Sequence, residues 1–233
     1  MQLFNLTLST PAENLEFDEE LLERNNPHEF LRLWESPSPI VVLGRSSKAD
    51  VEVNQPACIE FGVPILRRVS GGAAIVAGPG CLMYAVILDL ERRPELAMVD
   101  RAHAWVLGQF VQALKPLVPN VSCAGTSDLV LLGEGEAPAE PEVGTDHRVG
   151  GSLALPSLAR KFSGNSIRLK RKRLLYHGTL LYDFDLTLIP RLLRMPPRHP
   201  AYRDNRPHEN FVTNLPIDGD TLRETIINHW KGV

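Results

Sequence analysis

Cysteine is scarce: the chain of 233 residues has three, Cys58, Cys81 and Cys123. An odd, widely spaced set makes no disulfide framework and supplies no Cys-x-x-Cys pair for a metal. Such usage fits a reducing, cytoplasmic compartment. Long apolar runs are missing as well. No stretch approaches the roughly 20 residues that span a bilayer, so no membrane partner is expected. The opening MQLFNLTLSTPAENLEFDEELLERN lacks a basic start followed by an apolar block and does not read as a signal peptide. Neither sign of charge dominates: 25 Lys and Arg stand against 28 Asp and Glu, for a net charge of −3. That balance gives no sign of nucleic-acid binding. There is no internal repeat, and no regular alternation of strand and helix that would mark a doubly wound fold.

What is present is a 43% hydrophobic chain, long enough for one large domain or two small ones with a real core. MQLFNLTLS alternates like a strand. TPAENLEFDEELLER carries a helix start: Thr10, then Pro11, with Glu13 three residues after the Thr. HEFLRLWE and PIVVLGR read as two strands joined by an SPSP turn. Strands around PILRRVS and CLMYAVILDL flank a glycine-rich turn. MVDRAHAWVLGQFVQALKPL is the clearest amphipathic helix, with Val99, Ala102, Val106, Phe110, Val111 and Leu114 on one side. SDLVLL is a strand. GEGEAPAEPEVGTDHRVGG is acidic, aperiodic and rich in Gly and Pro, so an exposed flexible insert is expected at about 133–150. KFSGNSIRLK and LLYHGTLLYDF make a hairpin with RKR at its turn. A closing helix runs from about Asp220 to Trp230. These elements imply an α+β fold around a mixed sheet.

Three separated segments share a chemistry. Arg67, Arg68, Ser70, Gly71 and Gly72 form the first. Gly125, Thr126, Ser127 and Asp128 form the second. Lys161, Ser163, Gly164 and Asn165, with His177 and Gly178 further on, form the third. Each sets a polar or cationic group beside glycine. Together they can offer cations to phosphate oxygens, backbone donors to an oxyanion, and an Asp to Mg²⁺ or a ribose.

These residues also carry a resemblance. LRLWESPSPIVVLGRSSKADVEVN, GVPILRRVSGGAAIVAGPGCLMYAV, GTSDLVL, RKFSGNSIRLKRKRLLYHGTLLYDFDL and RMPPRHPAYRDNRPHENFVTNL, spread over residues 10 to 215, resemble the lipoate–protein ligase A family. That family sits within the wider lipoyl, octanoyl and biotinyl ligases and transferases. The resemblance implies a mixed, largely antiparallel sheet flanked by helices, in one catalytic domain over 1–233 with no C-terminal accessory domain. It implies two-step acyl transfer. Lipoate is activated with ATP and Mg²⁺ as an acyl-adenylate, and a lysine of a lipoyl domain then takes the acyl group. The target would be a lipoyl domain of a 2-oxoacid dehydrogenase or the glycine cleavage H protein. Lys161 matches the motif lysine, its ammonium stabilising charge at the carbonyl and α-phosphate. Arg67, Ser70, Gly71 and Gly72 would meet the acyl carboxyl end. Tyr84, Ser163, Gly164, His177 and Gly178 would shape the pocket, and Asp128 would lie near phosphate or its metal.

The chain departs from the family pattern at two positions. Ala73 stands for the third glycine and Ala77 for a histidine, which implies a backbone less close to ligand and one polar contact fewer. The missing accessory domain points to a separate accessory subunit, or to a transferase that takes octanoyl or lipoyl from an acyl carrier protein. In the latter, Cys123 would be the nucleophile and form a thioester, with its thiol activated beside Lys161. A reading from another class is a non-catalytic acyl-binding protein. Individual residues have plainer readings too. Glycines make turns at sheet edges, Asp128 can cap a turn, His177 can be a hydrogen-bonded core histidine, and Cys123 a small hydrophobe. RLKRKR, residues 168–173, reads as a solvated hairpin tip or as a basic face for an acidic lipoyl domain.

Overall fold

The structure, a computed structural model, describes residues 1–24, 28–133, 158–196 and 198–233. Apart from Gly133, the acidic insert expected at about 133–150 lies outside these residues.

The chain begins with β1 (Gln2–Asn5), α1 (Pro11–Glu23), β2 (Phe30–Trp34) and β3 (Ile40–Leu43). Two short helices follow, α2 (Ala49–Glu52) and α3 (Gln55–Glu60), then β4 (Ile65–Arg67), β5 (Ile75–Ala77) and β6 (Cys81–Asp89). The long helix α4 (Val99–Leu114) leads to β7 (Val121–Ala124) and β8 (Asp128–Leu131). After the undescribed segment come the hairpin strands β9 (Arg160–Lys170) and β10 (Arg173–Leu181), then α5 (Leu188–Leu192), α6 (His208–Phe211) and α7 (Gly219–Trp230).

The strands make a seven-stranded sheet in the order β1-β2-β6-β10-β9-β8-β7 and a three-stranded sheet in the order β4-β3-β5. In the large sheet only β1 and β2 run parallel. This is the mixed, largely antiparallel α+β architecture expected. One pairing differs. β2 and β3 do not form a hairpin: β2 lies between β1 and β6, while β3 crosses to the small sheet between β4 and β5. Every residue of both strands is buried, and a strand covered on both faces has no polar alternation to reveal its partner.

The faces of the large sheet have different coverings. Leu82, Tyr84, Val86, Tyr176 and Leu180 point toward α4 and α7, where Val106, Phe110, Leu222, Ile226 and Trp230 complete the core. Side chains of this size contribute about 1.5–3 kcal/mol each on burial. The opposite face is covered by α1 over β2, β6 and β10, and further on by the small sheet with α3 and α5. The functional groups gather on this second face. The α4 periodicity is largely as expected, although Val99 is exposed and the inward face takes in His103 and Leu107 instead.

α1 starts where its sequence says. Thr10 Oγ1 accepts from the Glu13 N–H at 3.2 Å, and the Thr10 N–H donates back to Glu13 Oε2 at 2.8 Å. Its position over the sheet depends on a buried charge. Arg32 of β2 is fully buried and pairs with Asp18 at 2.7 Å. It also donates to the carbonyls of Asn14 (2.8 Å) and Leu6 (3.0 Å). Burial pushes the Asp18 carboxyl up to about 6, against the pull of Arg32. Removing one member of such a pair leaves a charge in a dry core. Asp18→Ala is therefore expected to cost about 3–5 kcal/mol of stability, read as a lower urea midpoint. An unchanged midpoint would mean that α1 is held by its apolar contacts alone.

Candidate functional site

Two neighbouring cavities open on the second face. The first, about 360 Å³, sets Arg68, Ser127, Asp128, Ser166 and His177 beside apolar surface from Leu15, Ile75 and Met83. The second, about 170 Å³, has an apolar wall that includes Ile75, Val76, Phe162, Leu181, Ile189 and Phe211. They share Ile75, Lys161, Gly164 and the stretch Arg198–Pro200. Lys161 thus stands where two mainly apolar chambers carrying a few polar groups meet, the arrangement that small-molecule sites favour.

Lys161 reaches this point through a local irregularity. The β8–β9 register pairs Leu129 with Ser163 and Val130 with Lys161, so Phe162 is the extra residue of a bulge. Phe162 packs into the helix-side core, and Lys161 projects toward the cavities. Its ammonium lies 2.7 Å from Asp128 Oδ1. Asp128 is buried and Lys161 is about one quarter exposed, so the pair is partly shielded from solvent. The ammonium crosses Gly164, where a Cβ would stand 2.9 Å from Lys161 Nζ.

The turn ahead of Asp128 is tied to β9. Asn165 Nδ2 donates to the Ser127 carbonyl at 2.8 Å, and Ser163 lies beside it at 3.1 Å. The Tyr84 hydroxyl donates to Asn165 Oδ1 at 2.5 Å. Gly178 gives this amide its space, because a Cβ there would come within 1.8 Å of Asn165 Oδ1. Gly178 and Asn165 also line the first cavity, whereas Tyr84 acts through Asn165. Tyr84 lines neither cavity: its ring packs 4.3 Å from Phe110 in the helix-side core.

The two arginines of RRVSGG differ in role. Arg67 Nη1 donates to the carbonyls of Gly44 (2.6 Å), Ser47 (3.0 Å) and Arg45 (3.1 Å), holding the turn after β3. It lines neither cavity, contrary to the position expected for it; its neighbour Arg68 lines the first. Arg68 is buried and donates to the carbonyls of Gly71 (2.6 Å), Ala73 (2.9 Å) and Val42 (3.2 Å). Burial pushes its guanidinium down to about 10, with partial compensation from Glu52. Glu52 in turn accepts from the Ala74 N–H at 2.7 Å. The loop is thus clamped from both sides. Gly72 takes φ +87°, whereas Ala73 has no positive φ, so a side chain is accommodated there without strain. Gly71 and Gly72 flank the first cavity, and Gly72 contributes to its wall.

Ser70 is fully buried and links Arg68 to His177. Arg68 Nε donates to Ser70 Oγ at 3.2 Å, and Ser70 shares a short hydrogen bond with His177 Nε2. Arg68 can only donate, so Ser70 Oγ accepts from it and keeps one further lone pair and its own hydrogen for His177 Nε2. Burial, with help from the Arg68 charge, pushes His177 down to about 3. The ring is neutral at working pH.

Cys123 stands apart. It pairs across the β7–β8 ladder with Leu129, a residue of the helix-side core, so its thiol is on the face of the sheet opposite Lys161. It lines neither cavity. Its surroundings push the thiol up to about 11, the reverse of activation. Among the described residues no group of three or more His, Cys, Asp or Glu is placed to hold a metal ion. The basic tip forms as expected at Arg171 and Lys172. Lys170 pairs with Glu23 of α1, and Lys172 pairs with Glu91. The tip is about 30 Å along β9 from Lys161, at ~3.3 Å per residue.

Sequence reading grouped Lys161, Asp128, Ser163, Gly164, His177 and the 70–72 loop correctly in space. It missed Glu52, Ser166, Arg198, His199 and Tyr202. The last three lie in a proline-rich crossing whose only signal was its place in the resemblance.

The fold is of the type found in lipoate and biotin protein ligases. A bipartite lipoate–protein ligase of Thermoplasma acidophilum, described together with its E2 lipoyl domain, superposes over 99% of this chain and 82% of its own, with TM-score 0.75 at 17% identity. The biotin protein ligase of Aquifex aeolicus shares the fold more distantly, over 99% of this chain and 69% of its own, with TM-score 0.50 at 10% identity. The chain belongs to the family of the lipoyl protein ligase A/B catalytic domain, whose model matches residues 10–225. Lipoate–protein ligase 1 of Staphylococcus aureus is 25% identical over 83% of this chain and 49% of its own length. The octanoyltransferase LipM of Carboxydothermus hydrogenoformans is 27% identical over 78% of this chain and 65% of its own. The chain spans about half the length of the curated ligases it matches.

The His177 geometry has a consequence for acid stability. An unfolded chain protonates this ring near pH 6.5, and the folded one only near 3. Its contribution is complete above about pH 6.5 and is lost as pH falls toward 3. His177→Gln is expected to flatten the fall in melting temperature between pH 6.5 and 4. An equally steep fall would assign the acid lability to other groups.

Proposed function

We propose that the protein transfers a lipoyl or octanoyl group to a lysine of lipoyl domains, through an acyl-adenylate made from lipoate and ATP. The observation that carries this reading is the Lys161–Asp128 pair at the junction of two cavities. Their apolar walls suit an acyl tail or a base, and the polar groups of the first, Arg68, Ser127 and His177 among them, suit a carboxylate and phosphates. In the first step a carboxylate oxygen of the acid attacks the α-phosphorus of ATP. A mixed anhydride forms and pyrophosphate leaves. In the second step the target lysine amine attacks the acyl carbonyl, an amide forms, and AMP leaves. Negative charge builds on the carbonyl or phosphate oxygens in both, and the fixed Lys161 ammonium lies where it can stabilise that charge.

Arg68 and Glu52 hold the 71–74 backbone, and neutral His177 lines the site without adding a second cation. Asp128 has each carboxylate oxygen engaged, and among the described residues it belongs to no group of three His, Cys, Asp or Glu, so these residues do not fit a resident Mg²⁺. Magnesium is read here as part of the Mg·ATP substrate. The relatives add support: one neighbouring structure holds lipoate and another holds ATP. The partner proposed is a lipoyl domain of a 2-oxoacid dehydrogenase or the glycine cleavage H protein. A separate accessory subunit fits the bipartite description of the Thermoplasma ligase.

The test is the intact mass of a purified lipoyl domain after incubation with this protein. One mixture holds lipoate and Mg·ATP, the other octanoyl carrier protein without ATP. A gain in the first supports the adenylate route, and a gain only in the second replaces it with carrier-dependent transfer. No gain in either, with lipoate still bound, favours an acyl-binding protein or a missing subunit. Lys161→Ala is expected to lower transfer at least about 100-fold with the melting temperature retained. Cys123→Ser is expected to keep transfer within about twofold, as for a substitution outside the reacting groups. Loss in Cys123→Ser would revive the thioester route.

A further inference from the structure

Tyr202 lay outside every expected constellation, yet it reaches the centre of the site. It sits in the short turn Ala201–Arg203, and its hydroxyl donates to Asp128 Oδ2 at 2.7 Å. That is the carboxylate oxygen Lys161 leaves free, since the ammonium takes Oδ1. The ring packs 5.3 Å from Phe211. Burial and the adjacent Asp128 carboxylate push the phenol far above its ordinary range, so it is a donor at any working pH.

The same stretch of chain meets Lys161 a second time. The Thr213 N–H donates to the Lys161 carbonyl at 2.9 Å, and Lys161 forms a parallel bridge with Val212. Just before Tyr202, Arg198, His199 and Pro200 line both cavities. One stretch therefore touches the cavities, the Lys161 backbone and, through Asp128, its ammonium.

An aspartate's terminal torsion is soft, with two broad equivalent wells. A single contact to a mobile ammonium does not orient it. A second, rigid donor on the other oxygen does, because the phenol is anchored by its ring. We propose that Tyr202 is a positioning residue for Lys161: its hydroxyl fixes Asp128 so that one oxygen alone receives the ammonium, which couples the 198–202 stretch over the cavities to the charge at their junction. The consequence for turnover rests on the acyl-transfer reading, whereas the positioning itself rests on the geometry.

The experiment separates the two. The rate at which N-hydroxysuccinimidyl acetate acetylates Lys161 is followed by peptide mass spectrometry in wild type, Tyr202→Phe, Asp128→Asn and the double variant. An amine no longer held against Asp128 meets the reagent more often and reacts faster. Tyr202→Phe is expected to label about threefold faster, Asp128→Asn at least as fast, and the double variant no faster than Asp128→Asn, since the effect passes through Asp128. Replacing Tyr202 by 4-aminophenylalanine keeps a donor and should restore the wild-type rate. An unchanged rate in Tyr202→Phe, or additive rates in the double variant, overturns the proposal. Where lipoyl transfer is measurable, kcat is expected to fall about tenfold in Tyr202→Phe with KM for the acid within twofold. A rise in KM with kcat unchanged would assign Tyr202 to substrate binding and overturn positioning. If wild type transfers no acyl group, the acyl-transfer reading fails, and the labelling rates still decide the role of Tyr202.

Discussion

The Lys161–Asp128 pair, 2.7 Å across and partly shielded, imposes the main constraint on this fold. A lysine side chain is long and flexible, and an ammonium free in solvent stabilises little. Here it is held from several directions. The bulge at Phe162 turns Lys161 toward the cavities. Gly164 leaves the ground over which the ammonium passes. Asn165 ties the 126–128 turn to the strand that carries Lys161. Each contact is modest, but together they place one charge where two chambers join.

The glycine-rich loop is held by a different device. Glycines alone give freedom, and freedom does not place a ligand. The loop is ordered because a buried guanidinium, Arg68, takes its carbonyls and Glu52 takes the Ala74 N–H. A buried arginine needs its donors satisfied, and backbone carbonyls satisfy them without a second full charge in contact. Arg67, one residue earlier, points the other way on the strand and serves the turn after β3. Adjacent residues on a strand face opposite sides, so two arginines in sequence could never have shared one job.

The two faces of the large sheet divide stability from chemistry. Tyr84, Tyr176 and Cys123 belong to the side beneath α4, where the thiol is pushed up and the phenols are apolar filling with one hydrogen bond each. His177, Ser166, Lys161 and Asp128 belong to the other side. A thiol on the helix side cannot share a reacting atom with an ammonium on the cavity side.

Much of this was legible in the sequence. Local signals determined the start of α1 at the Thr10–Glu13 box, the periodicity of α4, the hairpin of β9 and β10, and the membership of Lys161, Asp128, His177 and the 70–72 loop in one site. These depend on short-range chemistry or on motifs that travel intact. The tertiary structure decided what depends on distant partners. It separated β3 from β2, because a strand buried on both faces carries no alternation to name its neighbour. It chose Arg68 over Arg67 and sent Cys123 to the far side, because strand facing depends on register and a one-residue shift reverses it. It brought Tyr202 to Asp128 across 74 residues of sequence, a contact set by the folded path of the proline-rich crossing and by no feature of its local composition.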